Sequence, residues 1–579
     1  MSVVGFLRSL FPPRFDRKGS SPAYLVVTNA RIVTCDPDNP RARAVAVNEE
    51  RITYVGDRKG VADYVGPGTK VIDARGKTLT PGFVDNHCHV LWVSAALSMT
   101  TDLLGCNSMD EVKSSVLAEA RKNPDMPFVF GFGWKFDYIP DGVPDRSMLD
   151  DIISDRPVIL WHRYAHAGWA NTLALELMQE RNPEAYRMLM PETDEKTGEP
   201  TGLFDFFAFS PTDFFSCEEL GKKLQEKMIE AMGKTMNDAL ALGVTTMNDV
   251  QISPSFIPMV LKFKQKGGLE KARVRCSYFI DQFRLEDEEK LIKDLESWKE
   301  LGERESDSHL VLGDSVKLYI DGILSNHTML LKEPYCDRPD LYGHASWSQQ
   351  DFNRVVEIID SMGLQACTHA TGDGGIPMVI DAYQRAREVN GQRDSRHRIE
   401  HCELPRREDM ERMARLSIHA AMQPVHFFGD EDYEKTIGEE RLRRMMPWRS
   451  LEKAGVDISF GSDYCAGPLN PVYGLIVSGT RINYKGNTDW GPEEKLELEN
   501  SIRHWTVDSA EALMMEKEIG SVKVGKYGDM VLWNQDPLRF SSWWFLLTHK
   551  TEQGALDDFV DVTLLGGETV YNKEERDRL

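Results

Sequence analysis

His87 and His89 form an H-x-H pair in the segment FVDNHCHV. On a strand, residues two apart face the same side, so both imidazoles can reach one ion while Cys88 points away. Four further residues suit the same ion: Lys317 in SVKLYIDG, His369 in ACTHATGDG, His401 in RIEHCE and Asp463 in FGSDY, each at or near the end of a strand-like run. Neutral imidazoles supply nitrogen ligands, and a carboxylate supplies charge and a proton acceptor. That is the donor set of a one- or two-metal hydrolytic centre. A Zn²⁺-class ion lowers the pKa of its bound water to roughly 7. Asp463 is then the expected general base, and later the general acid toward the leaving group.

Such residues converge only if the chain brings several strand ends together. The middle of the sequence offers eight β-rich runs: 82–90, 243–250, 272–280, 315–321, 364–370, 397–402, 418–424 and 457–463. Helix-like stretches with apolar residues at spacings of three and four lie between them, as in 217–243 and 352–363. Eight strands alternating with helices predict an α/β chain closed as a parallel (β/α)8 TIM barrel, whose chemistry sits at the C-terminal strand ends. The first two runs are separated by 91–242, an insertion expected to lie over the catalytic face, since loops leaving that end of a strand do so. Three aromatic residues in it, Trp134, Trp161 and Trp169, are candidates to line a substrate site or simply to pack. Gly-punctuated strand patterns at 24–81 and again near the C-terminus predict one β-sandwich built from both ends, the N-terminal part as a small antiparallel sheet. The expected division is a tail over 1–21, a composite sandwich from 22–80 and 521–579, and a barrel over 81–520.

Composition narrows the function classes. The chain has 579 residues, with 69 Lys plus Arg against 92 Asp plus Glu, a formal charge of −23. That balance argues against general nucleic-acid binding, which draws on clustered positive charge. No membrane span is expected, because no run of eighteen uncharged apolar residues occurs. The start of the chain is read as a disordered tail, since its apolar stretch from Val3 to Phe11 is short and broken by Arg8, with a weak organelle-targeting or interfacial segment as the alternative. Nine dispersed cysteines without a C-x-x-C pair point to a reducing, cytoplasmic setting. Those beside the candidate ligands, Cys88, Cys367, Cys402 and Cys465, read as small buried hydrophobes rather than thiolate ligands.

The segments LTPGFVDNHCHV, HAGWANTLAL, GVTTMNDV, VKLYIDG, THATGDGG, RIEHCE, AAMQPVH, GSDYCAGPLNPVYG and GSVKVGKYGDMVLW, taken in order, resemble the amidohydrolase superfamily and within it the YtcJ-like branch, amidohydrolase family 3. The resemblance spans nearly the whole chain. It implies a distorted barrel, a composite sandwich and metal-dependent hydrolysis of a carbon–nitrogen bond other than a peptide bond. It assigns His87 and His89 as first-strand ligands, His369 and His401 as those of strands five and six, and Asp463 as the last-strand aspartate. Lys317 falls at the position that in many relatives is carbamylated and bridges two metals. The alternative for Lys317 is an unmodified lysine beside a single ion. His166, in HAGWAN, falls where the family motif places a histidine, and is the expected donor to the tetrahedral oxyanion.

The expected activity is cleavage of an amide, an N-substituted formamide or a related small molecule. One or two divalent ions, zinc first among them, are the expected cofactors. A homodimer is the one protein association left open. Two other readings are non-hydrolytic lyase, isomerase or ester-cleaving chemistry at the same site, and a scaffold without activity. Asp321, Asp373, Glu400 and Gln423 are expected either to orient ligands from behind or to satisfy backbone groups, and Asn171 to serve structure. After VKLYIDG this chain reads ILSNHTML, so His327 stands where the pattern commonly has an Arg-Thr-Ala segment, and no carboxylate clamp is inherited there.

Overall fold

The computed structural model describes residues 22–124, 126–139, 144–163, 167–181, 183–188, 191–194, 196–205, 217–427, 431–482, 490–540 and 558–577. The expected tail over 1–21 and His166 lie outside the described residues. Eight parallel strands follow one another in chain order: Phe83–Cys88, Val244–Ile252, Arg273–Phe279, Ser315–Tyr319, Gln365–Ala370, Arg398–His401, His419–Met422 and Ile458–Phe460. They coincide with the eight runs read from the sequence. Nearly all their residues are buried, as strands covered on both faces must be.

The helices between them follow from local chemistry. In Gln349–Ser361 the Ser348 hydroxyl accepts from Asp351 N–H at 3.1 Å, supplying an N-cap. Phe352, Val355, Val356 and Ile359 then recur at the helical period and form the buried face. The helix Cys217–Ala241 is interrupted at Gly221, whose φ of 68° breaks the helical path.

At the seam between the eighth and first strands, loop and side-chain hydrogen bonds join the ring. Asp463 N–H donates to His87 O at 2.7 Å, His89 N–H to Tyr464 O at 2.9 Å, and the Asn86 amide to the Ser459 hydroxyl. Gly461 permits this approach. A Cβ there would lie 2.7 Å from His87 N and 2.9 Å from Asp85 Oδ1. Gly461→Ala is therefore expected to push apart the strands that carry His87 and Asp463. It should cost about 1–3 kcal/mol and lower turnover; thermal unfolding of this variant at wild-type temperature would contradict that account of the seam.

The chain ends build two sheets, and neither is the simple antiparallel one expected. Leu25–Thr28 pairs antiparallel with Ala44–Asn48 but parallel with Lys70–Asp73. Arg31–Val33 runs parallel to Thr78–Pro81, which continues into Met530–Trp533, Val560–Leu565 and Glu568–Asn572. The six-stranded sheet thus takes strands from both ends of the chain. A buried ion pair ties it to the barrel: Arg273, on the third strand, donates to Asp529 through Nε at 2.7 Å and Nη2 at 3.1 Å. The Arg273 guanidinium also lies 3.8 Å from the Tyr527 ring centre.

Residues 91–242 form a further sheet of six strands between Thr100–Asp102 and Pro200–Asp205. Trp134, Trp161 and Trp169 are buried in packing contacts. Trp134 and Trp169 sit in this sheet's own core and donate to the Leu160 and Asp145 carbonyls at 3.0 and 3.2 Å, and Trp161 is buried against Phe130. Asn171 serves structure, as expected: its amide bridges Ile153 O, Arg156 O and Val158 N.

After the eighth strand, His504 is held between Asp508 (2.9 Å) and Glu452 (3.0 Å). Burial alone would lower its pKa, but the two carboxylates outweigh burial and raise it to about 9. A raised folded-state pKa stabilises fully below the unfolded value near 6.5 and less as pH climbs through 9. The contribution is on the order of 3 kcal/mol. The stability of the wild type toward unfolding should fall between pH 6.5 and 9 relative to that of His504→Gln, and parallel pH curves for the two proteins would contradict this assignment.

Candidate metal centre

The first, sixth and eighth strands bring His87, His401 and Asp463 together, with one ligand atom from each lying within 4.8 Å of the others and all three buried. His87 is prepared for ligation. Its Nδ1 hydrogen-bonds the Glu400 carboxylate, which places the lone pair on Nε2, and that buried Nε2 has no hydrogen-bond partner among the described residues. Glu400 is fixed in turn by Arg398, whose Nε and Nη2 reach its two oxygens at 2.7 and 2.9 Å. Burial would raise the Glu400 carboxyl, but Arg398 and His87 hold it far below the carboxylate range.

The Asp463 carboxylate is shared. Its Oδ1 lies 3.4 Å from His87 Nε2 and 3.0 Å from His89 Nε2. Burial would raise its pKa, but these imidazoles depress it well below the ordinary value, so Asp463 is anionic. His401 is neutral, because burial and its neighbours His369 and His87 disfavour a proton. His369 donates from Nε2 to Gly322 O at 3.0 Å, which puts its lone pair on Nδ1; its ring lies 4.4 Å from that of His401.

Lys317 Nζ is buried in the same place and has no hydrogen-bond partner among the described residues. Burial lowers its pKa to about 8, against the opposing pull of Glu400 and Asp463.

His89 is the least regular member. The Trp92 indole N–H donates to its Nδ1 at 3.3 Å, so Nε2 carries the hydrogen that faces Asp463. His89 therefore braces Asp463 in this arrangement and would have to exchange that contact to bind an ion. The imidazole nitrogens with one carboxylate, among them the buried His87 Nε2 that has no hydrogen-bond partner among the described residues, fit a divalent ion.

The remaining assignments divide. Asp321 accepts from Thr371, Gly372 and Leu330 N–H groups at 2.9–3.0 Å and fixes the loop after His369. Asp373 accepts from Lys332 N–H at 2.9 Å, and among the described residues the Gln423 side chain donates to Ala421 O at 3.3 Å. His327 pairs with Asp337 at 2.9 Å and packs on Tyr335, so it clasps its own loop. Burial raises the thiols of Cys88, Cys367, Cys402 and Cys465, so none is poised as a thiolate.

Two residues were not singled out by sequence. His426 Nε2 lies 3.3 Å from Asp463 Oδ2, and its Nδ1 lies 3.9 Å from Glu403 Oε1. Burial would lower the His426 pKa, but these two carboxylates raise it. Glu403 is two positions beyond His401, a spacing that could have flagged it. His426 ends the Pro424–His426 turn after the seventh strand; it closes the segment AAMQPVH, which could have flagged it, although no backbone period does.

The model of the amidohydrolase family matches residues 70–571. The chain belongs to the amidohydrolase family. Among curated members with similar sequences are Protein LONG AFTER FAR-RED 3 of Arabidopsis thaliana, 28% identical with 91% of this chain and 89% of that protein covered, and the N-substituted formamide deformylase of Arthrobacter pascens, 25% identical with 89% and 94% covered. The putative amidohydrolase YtcJ of Bacillus subtilis is 25% identical, with 94% and 98% covered. In fold, this amidohydrolase resembles an uncharacterized metal-dependent hydrolase from Pyrococcus furiosus, with a TM-score of 0.66, 24% identity, and 89% of this chain and 99% of that one covered.

Proposed function

We propose that this amidohydrolase cleaves the carbon–nitrogen bond of a small amide, such as an N-substituted formamide, using a divalent metal, zinc foremost. The observation that carries the reading is the convergence of His87, His401 and Asp463 at the strand ends. His87, His89, Lys317, His369, His401 and Asp463 are the proposed ligands, with Lys317 acting as its carbamate. When bound, the ion activates water and polarises the substrate carbonyl.

The chain's own residues supply the rest. Glu400 holds the His87 tautomer, with Arg398 behind it. Asp463, anionic at neutral pH, accepts the water's proton and returns it to the leaving nitrogen, so amide and water become acid and amine. We propose His166 as a donor to the oxyanion. The N-substituted formamide deformylase lends the substrate class.

The test is a panel of N-substituted formamides and acetamides incubated with the purified protein in ¹⁸O-water. One solvent oxygen in the released acid, with free amine, supports the reading. Turnover that yields an isomer or an elimination product without solvent oxygen would sink it.

A further inference from the structure

His426 approaches Asp463 on the oxygen that His87 and His89 leave aside. The first-strand histidines face Oδ1, at 3.4 and 3.0 Å, while His426 Nε2 faces Oδ2, at 3.3 Å. A carboxylate turns easily about its last torsion, which is broad and two-fold. Contacts on one oxygen alone leave that rotation loosely set, whereas a contact on each oxygen fixes the plane.

The ring that makes the second contact is itself constrained. It is carried on the short turn Pro424–His426, where Pro424 ends the seventh strand and His426 N–H donates to Gln423 O at 2.9 Å. It lies parallel to the His401 ring, 5.8 Å away at 14°. On its far side stands Glu403, whose own backbone carbonyl accepts from Met446 N–H at 2.6 Å. Asp463, His401 and Cys402 all adopt positive φ, between 46° and 71°, a backbone state that non-glycine residues rarely take. The sixth- and eighth-strand ends are thus held in one arrangement, with His426 bridging them.

We propose that His426 is a positioning residue that fixes the Asp463 carboxylate plane, and that Glu403 fixes His426. This rests on the reading of Asp463 as the group that takes the proton. Loss of the second contact would let the carboxylate turn, and a misplacement of about 1 Å costs about 10²-fold in rate.

The experiment compares cobalt-loaded wild type, His426→Ala, His426→Gln and Glu403→Ala. Ion content, the visible absorption of bound cobalt, and kcat and KM on any amide that the wild type turns over are measured. His426→Ala should keep its ion content, shift the cobalt absorption, and lower kcat about 10²-fold with KM changed less than about threefold. His426→Gln, whose amide N–H can reach the same oxygen, should recover at least about tenfold of that loss.

An unchanged cobalt spectrum per bound ion in His426→Ala overturns the proposal, and so does loss of the ion, which would make His426 a ligand. If His426→Ala does not fold, the glutamine and Glu403 variants give the same readouts. A spectral shift in a protein that hydrolyses no amide would support the positioning role and defeat the proposed function. Amide turnover with unaltered kcat and spectrum in the variants would do the reverse.

Discussion

Asp463→Asn should lower kcat by about 10²- to 10⁴-fold, the range for loss of a general acid–base group, on whatever amide the wild type hydrolyses. Asparagine preserves the shape and one oxygen but cannot take the proton. Asp463 is tied by its backbone to His87 O at 2.7 Å and by its side chain to His89, so the substitution leaves the strand ends in place. Ion content at saturating zinc should therefore stay close to that of the wild type. Equal kcat in the variant would remove Asp463 from the chemistry. Equal losses of ion and rate would make it a ligand without a proton role.

Asp529→Ala should destabilise the protein by about 3–5 kcal/mol, the cost of leaving a buried charge without its partner. Both members of the Arg273–Asp529 pair are almost wholly enclosed, at 2% and 3% side-chain exposure. Asp529 also accepts from Gly566 N–H at 2.7 Å, so its removal leaves an unsatisfied backbone donor at the sheet formed by both chain ends. Arg273 would keep only the Ser308 carbonyl, at 2.6 Å, and the face of Tyr527. Replacing both residues together, as Arg273→Met with Asp529→Leu, should cost far less than Asp529→Ala alone. Urea unfolding followed by circular dichroism measures this, and additive losses in the double variant would show that the two charges are not coupled.

What was legible in the sequence was whatever repeats with a backbone period. The eight strands announced themselves as short buried runs between helices, and their ends carried His87, Lys317, His369, His401 and Asp463 in view. The H-x-H spacing gave the shared face, although His89 lies just past the strand Phe83–Cys88 and is turned toward Asp463 and Trp92. Pairings between distant segments were not legible. Nothing local states that Arg31–Val33 runs parallel to Thr78–Pro81, or that Arg273 meets a carboxylate 256 positions away. For the tryptophans of the insertion, lining a substrate site and packing both stayed open, because composition cannot distinguish an aromatic pocket from an aromatic core. His426 escaped notice because a turn after a strand has no period to mark which residue faces inward.

On the proposed function, the residues gathered at the strand ends hold a divalent metal. Metal content per chain, measured by mass spectrometry after zinc supply and removal of excess ion, tests it most directly. The wild type should retain one or two zinc ions per chain, and His87→Ala, folded by circular dichroism, should lose at least one of them. A folded wild type that retains no ion, or a His87→Ala protein that retains the wild-type number, would contradict the account.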